Sequence, residues 1–141
     1  LEFRRVLFRS KQLGATNAGV ATSCTVDGTN EIGFRGIPPV TITGSSNLDL
    51  SHAGKTVYYA SASAITITLP SGTTYPIGTA ITVVNDASAA VSITITNSES
   101  GSTMVLAGSG NTGSRTLARY GVATLVKVLS NRWVISGVNL T

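Results

Sequence analysis

From Thr41 to Gly137 apolar and polar positions alternate in short runs broken by turn residues. Residues 64–69 read A-I-T-I-T-L, and residues 91–96 repeat the alternation as V-S-I-T-I-T. A period of two puts Ile65, Ile67 and Leu69 on one face of a strand and Thr66 and Thr68 on the other. Shorter runs of the same kind cover 40–43, 48–50, 56–61, 79–85, 103–107, 115–118, 122–129 and 132–136, and no helical period interrupts them. The pattern predicts an all-β fold, a single β-sandwich or jelly-roll-like domain of roughly nine or ten short antiparallel strands. The regular apolar phase nominates Ile65, Ile67, Leu69, Ile81, Val83, Ile93, Ile95, Val126 and Ile135 as core.

The last two runs read as a hairpin turning at Ser130-Asn131. If Leu129 pairs with Arg132, Val128 faces Trp133 and Val126 faces Ile135. Val122, Val126, Val128, Trp133 and Ile135 then share the core face. The opposite face carries Leu125, Lys127, Leu129, Arg132 and Val134, and is too apolar for plain solvent. A subunit contact suits two cations among apolar residues, because their stems lie on apolar surface while their heads reach a wet rim. Leu125, Leu129 and Val134 are therefore the candidate oligomer-interface residues.

Three segments differ in character. Residues 1–10 (LEFRRVLFRS) concentrate charge and aromatics unlike anything later, and Leu-Phe-Arg-Ser resembles the conceptual translation of a short-read sequencing adapter. They are read as a non-native sequencing or cloning scar on a fragment of environmental DNA. Residues 11–32 are small and polar without a sustained period, and read as a linker. Residues 33–141 are the β-domain, introduced by Pro38-Pro39, which forbids helix.

Composition narrows the chemistry. Only 11% of the 141 residues are charged, while 42% are hydrophobic. The net charge of +4 falls to +2 once Arg4, Arg5, Arg9 and Glu2 are set aside. No basic cluster interleaved with aromatics remains, which argues against nucleic acid as a partner. No stretch is apolar enough to insert in a membrane. The lone Cys24 has no intrachain partner, which suits assembly in a reducing host bacterial cytoplasm. One histidine and one cysteine do not make a zinc site, and Asp27, Asp49, Asp86 and Glu99 are too scattered for calcium.

Gly108-Ser109-Gly110-Asn111-Thr112-Gly113 matches a dinucleotide fingerprint by letter. No helix follows to face a pyrophosphate, and no acidic residue follows to hold a ribose. Gly54-Lys55-Thr56 lacks the upstream glycine of a phosphate loop, since Asp49 stands there. His52 is the sole imidazole and no nucleophile elbow exists. The expectation is therefore no catalytic residue, no cofactor and no metal. A second function class remains. Tyr58, Tyr59 and Trp133 are candidate glycan-stacking aromatics of a carbohydrate-binding module from a bacterial secreted or surface protein. Exposed rings along a groove would favour that class, and buried rings the structural one.

Gly33-Phe34-Arg35-Gly36-Ile37-Pro38, Ala53-Gly54-Lys55-Thr56-Val57, Thr68-Leu69-Pro70, Pro76-Ile77-Gly78-Thr79-Ala80-Ile81, Leu106-Ala107-Gly108 and Trp133-Val134-Ile135-Ser136-Gly137 follow one another in an order that resembles a β-rich domain near the C-terminus of tailed-bacteriophage structural proteins. Tail fibres, tail spikes and head fibres carry such domains. The resemblance spans about residues 33–141. It implies a non-enzymatic virion module, assembled as a homotrimer with other virion proteins and displayed toward a host-surface glycan or receptor. It carries over no binding residue.

Overall fold

The computed structural model describes residues 39–141. The scar at 1–10, the linker at 11–32, Cys24 and the Gly33–Pro38 motif lie outside them. Nine strands follow one another: β1 (Pro39–Ile42), β2 (Ser46–Asn47), β3 (Thr56–Tyr59), β4 (Ile65–Leu69), β5 (Ala80–Asn85), β6 (Ile93–Asn97), β7 (Thr103–Leu106), β8 (Arg115–Leu129) and β9 (Arg132–Leu140). A single 3-10 turn, Leu50–His52, lies between β2 and β3. The described part of the chain is all-β, as the alternation requires.

The pairing is not the expected antiparallel one. β1, β3 and β5 form one parallel ladder, and β2, β4 and β6 form another. β7 is parallel to β9. Between strands, antiparallel pairing involves β8, which meets β5, β6 and β9, and an isolated antiparallel bridge joins Val105 to Thr112. Successive strands thus alternate between two ladders, and the chain winds as a coil that lays one strand on each ladder per turn. A parallel connection needs a crossover, and here the crossover is a strand of the other ladder. Gly44-Ser45 and Ser61-Ala62-Ser63 have hairpin composition, but they are corners that carry the chain across.

The repeated alternation explains the register. Ile65 lies beside Ile93, Thr66 beside Thr94, Ile67 beside Ile95 and Thr68 beside Thr96. The isoleucines stack inward and the threonines outward, where the Thr96 hydroxyl donates to that of Thr68 at 3.1 Å. The first ladder contributes Val57, Tyr59, Ile81 and Val83 to the same core. Full burial of each such aliphatic side chain is worth about 1.5–3 kcal/mol. Of the nine nominated core positions, all but Val126 are buried.

Val126 fails because of one residue. Leu129 does pair with Arg132, but the register then shifts so that Lys127, not Val128, lies opposite Trp133. Val128 is the extra residue of a β-bulge. A one-residue slip moves every side chain to the other face. Ala123, Leu125 and Lys127 therefore point inward with Trp133 and Ile135, while Val122, Val126 and Val128 face out. Leu125 is fully buried within a single chain and is withdrawn as an interface residue. Leu129 is 48% exposed and Val134 is half-buried on the outer side.

β8 changes partner midway. Its first part pairs with β6 as far as Leu117, and its second with β5 from Gly121. At the junction the β8–β9 register jumps from Leu117↔Leu140 to Val122↔Val138, and Tyr120 and Asn139 adopt left-handed φ of 61° and 58°. Such a conformation costs a non-glycine residue about 1–2 kcal/mol. The buried Asn85 side chain closes the junction, donating to Leu117 O at 3.0 Å and Val91 O at 3.1 Å, and accepting from Ala87 N at 3.3 Å. Further along, a Cβ on Gly137 would lie 2.2 Å from Val122 O and 2.8 Å from Ala123 Cα. Both atoms are backbone and have no rotamer to move. Gly137→Ala should therefore force β9 away from β8 and cost about 1–3 kcal/mol, read as a lower melting temperature in a thermal scan.

Candidate functional site

The densest polar arrangement among the described residues is internal. Glu99, in the turn after β6, is buried and accepts from Lys127 Nζ. It also accepts from Trp133 Nε1 at 2.6 Å and, through its other oxygen, from Tyr75 N at 3.5 Å. Lys127 is 1% exposed; its Nζ also lies 3.4 Å from Ser102 Oγ and 5.4 Å from the centre of the Trp133 ring. The Asn97 side chain accepts from Glu99 N at 3.1 Å and donates to Ser102 O at 3.1 Å, which pins the turn. Tyr75 meets Trp133 edge-on at 5.1 Å between ring centres.

Burial pushes the Glu99 carboxyl up, but hydrogen bonds from Lys127, Trp133, Ser102 and the Tyr75 backbone outweigh it and hold the group below its ordinary value. Burial also raises the Tyr75 phenol to about 12. A carboxylate kept ionised, with both oxygens occupied, is no general acid near neutrality. The groove beside it is lined by Asn97, Ser102, Thr103, Met104, Thr112, Gly113 and Ser114, none of which titrates. This cluster is a lock that ties β8 and β9 to the loops before β5 and after β6.

A second grouping has the residue types of a hydrolytic triad. Asp49 caps the 3-10 turn, and its Oδ1 lies 2.5 Å from Ser51 Oγ and 2.9 Å from His52 Nδ1. A nucleophilic serine must hand its proton to the imidazole, which the acid orients from behind. Here serine and histidine both meet the acid, while Asp49 N donates to His52 Nδ1 at 3.1 Å. The geometry is that of a capping box. Removing the cap by Asp49→Ala should cost about 0.5–2 kcal/mol, a modest shift in a denaturant midpoint.

The candidate aromatics separate. Tyr59 and Trp133 are fully buried and offer no ring to a sugar, which corrects their nomination. They occupy the inward phase of β3 and β9. Tyr58 is half-buried on the outer phase and donates to Asp86 Oδ2 at 2.7 Å. That hydrogen bond, more than burial or the Asp86 charge, raises its phenol above the ordinary value. Tyr120, which the pattern did not single out, is 64% exposed. Its signal in the sequence was Tyr-Gly inside an apolar run, where a strand has to bend.

Lys127, read as a rim cation, is corrected to core, where it meets the buried Glu99. Among the described residues no group of three or more His, Cys, Asp or Glu side chains could hold a metal, and no helix is long and apolar enough to cross a membrane. No protein-family model matches the chain, and no curated protein matches it in sequence.

Proposed function

We propose that this chain is a non-enzymatic structural and adhesion module of a phage virion, of tail- or head-fibre type, that assembles as a homotrimer. In this reading the two ladders are the layers of a sandwich that serves as a rigid spacer, made in the host cytoplasm and built into the particle beside other virion proteins. The observation that carries it is the outer surface of the ladders. Thr56, Thr82, Thr124 and Ser136 lie in one row across four strands, and Tyr58, Val84, Val122 and Val138 in the next. Thr66, Thr94 and Thr116 form a row on the other ladder. Neutral, in-register, β-branched surfaces suit a module that stacks and displays, and the order of motifs resembles phage fibre domains. Burial of Tyr59 and Trp133 removes most of the platform that the carbohydrate-binding module alternative required.

The trimer contact moves with the corrected face. It is assigned to Leu129, Val134 and the adjoining Val126. The Lys127 stem no longer contributes, because that residue is paired inside. Sequencing outward from the gene tests the reading. Flanking capsid or tail genes support it, whereas a flanking secreted glycoside hydrolase gene would overturn it.

A further inference from the structure

Five aromatic rings lie among the described residues, and Tyr59, Tyr75 and Trp133 are buried. The two that reach solvent, Tyr58 and Tyr120, are both drawn to one corner, where β5 ends and β8 changes ladder. Asn85 pairs with Gly121 there, so the next residue along β5 is Asp86 and the preceding one on β8 is Tyr120. Asp86 holds the Tyr58 hydroxyl through Oδ2 at 2.7 Å, and among the described residues no donor reaches its other oxygen. Arg119 is fixed by its Nε donating to Ala87 O at 2.6 Å. Its guanidinium lies 4.4 Å from the centre of the Tyr120 ring. Asn139 ties the same bend, donating from Nδ2 to Arg119 O at 3.3 Å.

We propose that this corner is a saccharide-binding site, with Tyr120 as the stacking ring and Asp86 and Arg119 as the hydroxyl-binding groups. Three properties select the ligand. The Arg119 guanidinium lies over one face of the exposed Tyr120 ring and holds it, so the opposite face is a pre-set apolar platform that costs little further ordering on binding. The carboxylate and the guanidinium cancel in charge, so the site favours a neutral ligand over an anion or a cation. Planar charged groups beside an aromatic face suit a molecule with C–H faces and hydroxyl edges. Val122 and Val138, 43% and 68% exposed, continue the apolar surface for a second sugar unit. Adhesion supplies the biological setting, and this assignment rests on that part of the reading. Direct sugar binding, however, succeeds or fails wherever the gene lies.

Titration of the full chain with maltose, cellobiose, lactose and chitobiose, followed by amide NMR, tests the site. At least one disaccharide should shift the amides of Asp86, Arg119, Tyr120 and Asn139, and Tyr120→Ala should abolish the shifts while the rest of the spectrum stays folded. Tyr120→Gly separates binding from stability: relief of the left-handed backbone should raise the melting temperature while binding is lost. Silence of the corner toward all four sugars would overturn the proposal. So would shifts that survive in Tyr120→Ala, equal binding of glucuronate, or sugar-independent, concentration-dependent shifts marking self-association through Val122 and Val138.

Discussion

Replacing Glu99 with alanine is expected to destabilise the domain by about 3–5 kcal/mol, because it strands Lys127 as an unpaired buried cation and leaves the Trp133 indole N–H without its acceptor. The double replacement Glu99→Gln with Lys127→Met should be far milder than the sum of the single changes, since no uncompensated charge remains. Chemical denaturation of the native chain, Glu99→Gln, Lys127→Met and the double variant measures the coupling, and additive costs would show that the pair is not held as described. The same group sets an acid limit. Its folded pKa is depressed, so its stabilisation is complete above the ordinary carboxylate range and is lost as pH falls through the folded value. Melting temperature should drop more steeply below about pH 4 in the native chain than in the double variant.

Leu125→Ala should cost about 2–5 kcal/mol, whereas Val126→Ala, one residue along the same strand, should cost under about 1 kcal/mol. The contrast isolates the bulge. Without the extra residue at Val128 the two positions would exchange faces, and with them the expected effects. Leu125→Asp should then unfold the chain rather than dissociate an assembly, because the carboxylate would enter the core. Equal losses from the two alanine variants in urea titrations would contradict the assigned register.

The alternation at Ile65, Ile67, Leu69, Ile93 and Ile95 was legible because a period of two has one meaning when one face is buried. The direction of pairing was not. Corners such as Ser61-Ala62-Ser63 have the length and composition of hairpin loops, and nothing local separates a chain that turns back from one that crosses to another ladder. The telling feature was present, since the I-T-I-T of 65–68 recurs at 93–96 and identical strands stack best in parallel register. The bulge at Val128 was invisible because both phases of this strand carry apolar side chains, Val122, Val126 and Val128 on one and Ala123, Leu125 and Leu129 on the other. Lys127 argued for the outward phase, and only a distant acid, Glu99, makes its inward placement tolerable. That pairing spans 28 positions and leaves no periodic trace. The candidate site suffered in the same way. Tyr58, Tyr59 and Trp133 were the expected rings, yet strand phase buried Tyr59 and Trp133 and left Tyr58 half-buried, while the most exposed ring, Tyr120, stands where the strand is irregular.

The proposed module assembles as three chains through the outer face of β8 and β9. Sedimentation equilibrium of the full chain measures this directly. The expected mass is three times that of the chain, falling to one chain in Val134→Asp with its melting transition retained. A native protein that sediments as a single chain at every concentration would contradict it.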